Sequence, residues 1–295
     1  MGFGLKLAGN TGRWGPVTST LDWCEENYIV SEYIAEFWNS TSNAVYLALC
    51  AFAIRSFIKL GITESRPYWS MAGFAIVGLG SFCFHGSLLF HTQMMDELPM
   101  IYCSCVLVFA NLRVFPETNK DNNVLFAALT AYSIVVTATY LYVINPVFHQ
   151  VSYGLLVSIL TFLPPVQFYH IKNNYPQYSN RIEGLWKIYW YDIISYLGGF
   201  FLWNVDNNIC ESLRAIRKEV GYPLRVLFEL HVWWHVGTGI GSYAAVVMVT
   251  YMRCLATGRD DIELRWAGGI FPVLISRLNE KQIADLAKSE QKKTA

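Results

Sequence analysis

The chain has 295 residues; 54% are hydrophobic, 16% aromatic and only 15% charged. A soluble domain carries roughly 25% charged residues, so this balance excludes one and points to a polytopic membrane protein. Basic and acidic residues are equal in number, at 22 each, and this neutrality gives no reason to expect a nucleic-acid partner.

Residues 1–33 hold no apolar core of the signal-peptide kind, so the first span is expected to direct targeting. Seven stretches approach the ~20 apolar residues that a span requires. They lie near 34–57, 68–91, 95–115, 124–144, 147–170, 188–209 and 228–254. Asn39, Ser40, Thr41, Ser42 and Asn43 interrupt the first, whose start should therefore pack against protein rather than lipid. Pro164 and Pro165 should break or kink the fifth. No soluble domain, repeat or low-complexity tract fits between the spans. The expected fold is an all-α membrane protein, a seven-transmembrane helix bundle. It comprises an acidic N-terminal segment (1–33), a membrane domain (34–254) and a polar tail (255–295).

Seven spans place the termini on opposite sides. One side carries Arg55, Lys59, Arg66, Arg113, Lys120, Lys172, Arg181, Lys187 and the basic residues from Arg253 to Lys293, sixteen in all. The other carries six: Lys6, Arg13, Arg214, Arg217, Lys218 and Arg225. The positive-inside rule then predicts a cytosolic C-terminus and an N-terminus outside or in a lumen. The ending Lys292-Lys293-Thr-Ala resembles a dilysine signal for retrieval to the endoplasmic reticulum, against the plainer reading of a basic tail.

In this orientation five spans bring polar groups to one leaflet: Glu36 and Asn39; Ser81, His85 and His91; Asp96 and Glu97; Asn204, Asp206, Asn207 and Asn208; His231 and His235. Ionisable groups at membrane depth are candidates for function. His231 and His235 are four residues apart and share a helix face. With His85 at matching depth they make three neutral imidazoles, the ligand set of a catalytic zinc with one open position. A lone buried histidine is more often a hydrogen-bonded core residue. His91 lies on another face from His85, and His149 and His170 are expected at the interfaces. Ser81 precedes His85 by four residues and faces the same way. Asp96 can meet that face from the third span. Beside a catalytic zinc, Asp96 suits a general base and Ser81 a donor to a developing oxyanion. Taken alone, Ser81 would be a helix-packing residue and Asp96-Glu97 a helix-start charge pair.

Asp22, Glu25, Glu26, Glu32 and Glu36 make the segment before the first span acidic. Its chemistry suits calcium, but the spacing is not that of an EF-hand, and a solvated acidic face is an equal reading. Of seven cysteines, Cys50, Cys83, Cys103, Cys105 and Cys254 fall within spans as packing residues. Cys24 and Cys210 both fall on the lumenal side, where a bridge between them is plausible. Asn39-Ser-Thr matches a glycosylation acceptor but lies too close to the membrane to serve as one.

Nine segments together resemble the alkaline ceramidase family, closest to its phytoceramide-cleaving type. They are Trp14–Pro16, Ser19–Tyr28, Tyr33–Asn39, Cys83–His85, Asp96–Tyr102, Phe148–Val151, Leu202–Asn207, Cys210–Arg214 and His231–His235. The resemblance implies a seven-helix enzyme of the endoplasmic reticulum or Golgi that hydrolyses the ceramide amide to a sphingoid base and a fatty acid. It implies zinc on His85, His231 and His235, with Ser81 and Asp96 beside it. It also implies calcium on Asp22, Glu25, Asn27, Glu36 and the carbonyl of Trp23, and it supports the Cys24–Cys210 bridge. The expected partner is the ceramide lipid; no obligate protein partner is inferred. Two other readings stand beside this one: a zinc-containing receptor of the adiponectin-receptor-like type, and a scaffold with a purely structural metal. Short lumenal segments disfavour the receptor.

Overall fold

The computed structural model describes residues 12–118 and 123–294. Lys6 and Lys120, two of the charges that set the orientation, lie outside the described residues, as do the side chains of Lys292 and Lys293. Among the described residues six helical stretches are long and apolar enough to cross a membrane. The first is a pair, α1 (Phe37–Ser42) and α2 (Ala44–Lys59). Then come α3 (Arg66–Ser87), α4 (Phe90–Leu112), α5 (Asn123–Val143), α6 (Pro146–Asn174) and, at the far end, α9 (Leu230–Ala256). Between the last two lies α7 (Ile182–Asn208), as long as α9 but less apolar because of Asp192 and its many Trp, Tyr and Gly residues. The short α8 (Cys210–Val220) follows it, with charged residues on one face.

Helix α9 is the buried centre and α5 the most exposed outer member. Helix α7 packs along α9 more extensively than any other pair. Small residues allow that approach, as in other membrane bundles: a Cβ on Gly237 would sit 2.7 Å from the Ser195 carbonyl oxygen. The double proline was expected to break or kink the fifth span. No break occurs: α6 continues through Pro164 and Pro165 to Asn174. A break would expose backbone groups to hydrocarbon, which membrane helices avoid.

Residues 12–36 fold across one end of the bundle. The amides of Thr18 and Ser19 both donate to the Leu88 carbonyl at 3.1 Å, and the Glu36 amide donates to the His85 carbonyl at 2.9 Å. A Cys24–Cys210 disulfide ties this segment to α8. Arg214 Nε and Arg217 Nη2 donate to the Cys24 carbonyl at 2.9 and 2.7 Å. Four of the five remaining cysteines are buried and all five lie outside the disulfide, as their place within the spans suggested.

The stretch read as a polar tail is more structured than expected. Strands β1 (Ile262–Ala267) and β2 (Phe271–Ser276) form an antiparallel hairpin. Phe271 stacks on Tyr243 at 4.8 Å, and Tyr243 Oη donates to the Pro272 carbonyl at 2.9 Å. Tyr243 lies midway along α9, so the hairpin packs back against the helices. Gly268-Gly269 before Phe271–Ile275 is the local turn-and-strand signal for it. Helix α10 (Glu280–Thr294) follows.

Candidate active site

Helices α3 and α9 bring three histidines together. The ring centroids of His85, His231 and His235 lie 4.7–5.0 Å apart, and one nitrogen from each falls within 4.8 Å of the others. All three are at least 97% buried. Among the described residues this is the one such group of potential metal ligands.

The surroundings fix two of the rings. His85 Nδ1 lies 2.5 Å from Glu36 Oε2, a carboxylate oxygen that accepts. His235 Nδ1 lies 2.8 Å from Ser42 Oγ, whose own proton goes to the Asn39 carbonyl at 2.8 Å. Both rings therefore carry their proton on Nδ1 and present the Nε2 lone pair to the cluster. Outer partners of this kind commonly orient metal-bound histidines. Trp23 stacks on His231 at 4.4 Å, and His231 Nδ1 is buried without a hydrogen-bond partner among the described residues. Convergent lone pairs and an orphaned ring nitrogen fit a metal ion held by three imidazoles.

Ser81 and Asp96 join this centre through a close contact of α3 with α4. A Cβ on Gly80 would lie 1.8 Å from the Met95 carbonyl oxygen, so only glycine fits there. Pro99 has no N–H to satisfy that carbonyl from within α4. The contact sets Ser81 against the Asp96 carboxyl. Both line, with the three histidines and Trp23, a cavity of about 380 Å³. Most of its wall is apolar: Phe74, Val77, Met100, Phe200, Trp203 and Trp234 among others. Gly154 of α6 and Phe200 of α7 line it, and both are exposed.

The acidic segment lies directly behind. Glu36 reaches both sides, because its Oε1 accepts the Trp23 amide at 3.0 Å while Oε2 meets His85. Asn27 Nδ2 donates to Asp22 Oδ1 at 3.2 Å, and Asn27 Oδ1 is buried without a hydrogen-bond partner among the described residues. Burial, then the charge of Glu36, pushes Asp22 up to about 7. Burial also pushes Glu36 up to about 7, and burial with Glu229 and Glu36 nearby raises Glu25. Crowded carboxyls and an orphaned amide oxygen are the donor chemistry that calcium takes. Glu25 also caps α1, where its two oxygens accept the Trp38 and Asn39 amides, each at 2.8 Å.

Other expected members of the polar end stand apart. His91 is exposed. Asn204, Asn207 and Asn208 turn back to carbonyls four residues earlier on their own helix. Asn39, the residue of the glycosylation match, is fully buried against Glu36. His170 is partly exposed near the opposite end, as expected, but His149 is not interfacial. It is 2% exposed in the cavity wall, with Nε2 2.8 Å from the Glu97 carbonyl. Its hydrogen-bond partner lies on another helix, which no local spacing could have revealed.

The family model described as Ceramidase matches residues 15–275. Alkaline ceramidase 3 of Mus musculus is 39% identical over 264 residues, covering 90% of this chain and 94% of that protein. Alkaline ceramidase YPC1 of Saccharomyces cerevisiae is 32% identical over 277 residues, covering 90% and 86%. The alkaline ceramidase of Arabidopsis thaliana is 26% identical over 262 residues. These matches span every element that builds the histidine cluster, and the chain belongs to the ceramidase family.

Proposed function

We propose that this chain is a zinc-dependent, calcium-supported amidase within the membrane. It hydrolyses the N-acyl bond of ceramide, phytoceramide or dihydroceramide to a sphingoid base and a free fatty acid. The observation that carries this reading is the convergence of three buried histidines, Ser81 and Asp96 on one apolar cavity. His85, His231 and His235 would hold zinc, which supplies a Lewis acid and a water activated at neutral pH. Asp96 takes the proton from the attacking water and returns it to the leaving amine. Ser81 donates to the amide oxygen as charge develops on it.

The cavity, at about 380 Å³, is at the small end of the roughly 300–1,000 Å³ range of small-ligand sites. It suits the head of a ceramide, with the hydrocarbon chains passing outward beside Gly154 and Phe200. Asp22, Glu25, Asn27, Glu36 and the Trp23 carbonyl would hold calcium, whose role is to fix the N-terminal segment over the histidines. Helix α7 is the seventh span in this account, completing the seven-helix bundle. The charge bias then puts the N-terminus and the site in the lumenal leaflet and the C-terminus in the cytosol. The membrane is that of the endoplasmic reticulum or Golgi. The family match and the Ser81–Asp96 pair favour turnover over the receptor reading.

Fatty-acid release from ceramide by purified protein, with and without chelator, tests the proposal. Release that chelation stops supports it. No release at any calcium concentration or pH overturns it.

A further inference from the structure

We propose that Glu97 and His149 form the subsite that receives the hydroxyl-bearing end of the sphingoid portion of the substrate. This deepens the ceramide reading and rests on it.

Both residues line the cavity that holds the histidine cluster, and both are more than nine-tenths buried. One oxygen of Glu97 is fully engaged: Oε2 accepts from Tyr140 Oη at 2.5 Å and from Gln93 Nε2 at 2.9 Å. Gln93 is held in turn by the Thr20 amide, which donates to its Oε1 at 2.8 Å. The carboxylate is thus fixed in orientation, with Oε1 left over.

His149 supplies the second acceptor. The Glu97 carbonyl beside Nε2 can only accept, so Nε2 carries the proton and the neutral ring offers Nδ1 as a bare lone pair. Nδ1 faces Glu97 Oε1 across 3.8 Å. That gap is too long for a hydrogen bond. No described residue donates to Nδ1. Two acceptors at this separation on the cavity wall cannot satisfy each other and are open to a donor from the cavity.

A sphingoid base brings such donors. The carbon bearing its amide nitrogen lies between two carbons that each carry a hydroxyl. The acyl side of the amide carries none. Neighbouring residues on a helix point about 100° apart, so Asp96 and Glu97 do not compete. Asp96 faces Ser81 on α3, whereas Glu97 faces Tyr140 on α5 and His149 on α6. A head placed between them has its carbonyl towards Ser81 and the histidines and a hydroxyl towards Glu97 and His149. The pair thereby selects which end of the amide is the sphingoid end.

The alternative is a network that merely ties four elements together. A matched set of substrates separates the two: ceramide, its analogue lacking the terminal hydroxyl and its analogue lacking the secondary hydroxyl. Each is assayed for kcat/KM with full-length wild type, Glu97→Gln and His149→Gln. In Glu97→Gln an amide of the same shape puts a donor where the acceptor Oε1 stood, which preserves packing. Wild type is expected to prefer ceramide over one analogue by about tenfold to a hundredfold, the effect of leaving a buried charged acceptor unmatched. Both variants should lose most of that preference while keeping the wild-type zinc content. A merely structural role would lower all three rates together and leave the preference intact, and that result overturns the proposal. So does a wild type indifferent to both hydroxyls, a result that needs no variant to fold. A wild type inert towards ceramide itself defeats the broader reading instead.

Discussion

Glu36 Oε2 lies 2.5 Å from His85 Nδ1, with both side chains buried. The same carboxylate takes the Trp23 amide and the Asn39 side chain. It therefore stands between the histidine cluster and the acidic segment and fixes the tautomer of one proposed ligand. Losing such an outer partner typically weakens metal binding by about 10–100-fold. Glu36→Ala should show that loss in a zinc competition assay against a chelator of known affinity. An unchanged zinc affinity would show that the contact does not orient the ring.

The acidic segment predicts a pH-dependent response to calcium. Asp22 and Glu36 are both held near 7, against ordinary values of 3.8 and 4.5. In the calcium-free protein the folded form then binds more protons than the unfolded chain between those values and about 7. Its stability should fall as pH rises through that window. Calcium takes the ionised carboxylates, so its affinity should rise across the same window and level off above it. Thermal unfolding at several pH values, with and without calcium, reads both trends. Calcium at about 100 times Kd should add about 2.7 kcal/mol. A calcium effect equal at pH 5 and pH 8 would count against these ligands.

Gly80 is expected to tolerate no side chain. A Cβ would lie 1.8 Å from the Met95 carbonyl oxygen, and both groups are helix backbone. Gly80→Ala must push α3 from α4, at about 1–3 kcal/mol or more, and separate Ser81 from Asp96. Turnover should drop along with the melting temperature. Gly198→Ala is the control: nothing lies within 4 Å of its Cβ. It should be neutral or slightly stabilising, by less than about 1 kcal/mol.

Arg217 is fully buried and pairs with the buried Glu229 while holding the Cys24 carbonyl. Arg217→Leu leaves Glu229 with a weak partner, Arg225 at 3.8 Å. Breaking one side of a buried pair destabilises by about 3–5 kcal/mol. Replacing both residues, as Arg217→Leu with Glu229→Gln, should recover part of that loss. Denaturation of wild type and the two variants tests it, and equal stability of the single and double variants would contradict it.

Much of this was legible in the chain. Six of the seven expected spans are helices long and apolar enough to cross a membrane, and the helices begin and end within about six residues of the expected positions. Ser81 and His85, like His231 and His235, are four apart, so helix geometry alone placed each pair on one face. Sidedness made a Cys24–Cys210 bridge plausible, and the family resemblance supported it. What stayed hidden depends on tertiary approach. Glu97 and His149 meet from α4 and α6, and nothing in either segment signals the partner. The hairpin at Ile262–Ser276 was masked by the charged residues around it. Asn204, Asn207 and Asn208 looked functional because composition cannot tell a side chain aimed at a cavity from one turned onto its own helix.

His85, His231 and His235 are proposed to hold a zinc ion needed for ceramide hydrolysis. The most direct test measures metal content and fatty-acid release on the same purified protein before chelation, after it, and after zinc is restored. The account predicts about one zinc per chain, loss of release with the zinc, and recovery on its return, with folded His231→Ala inactive throughout. Wild-type release rates from metal-free protein, or from folded His231→Ala, would contradict it.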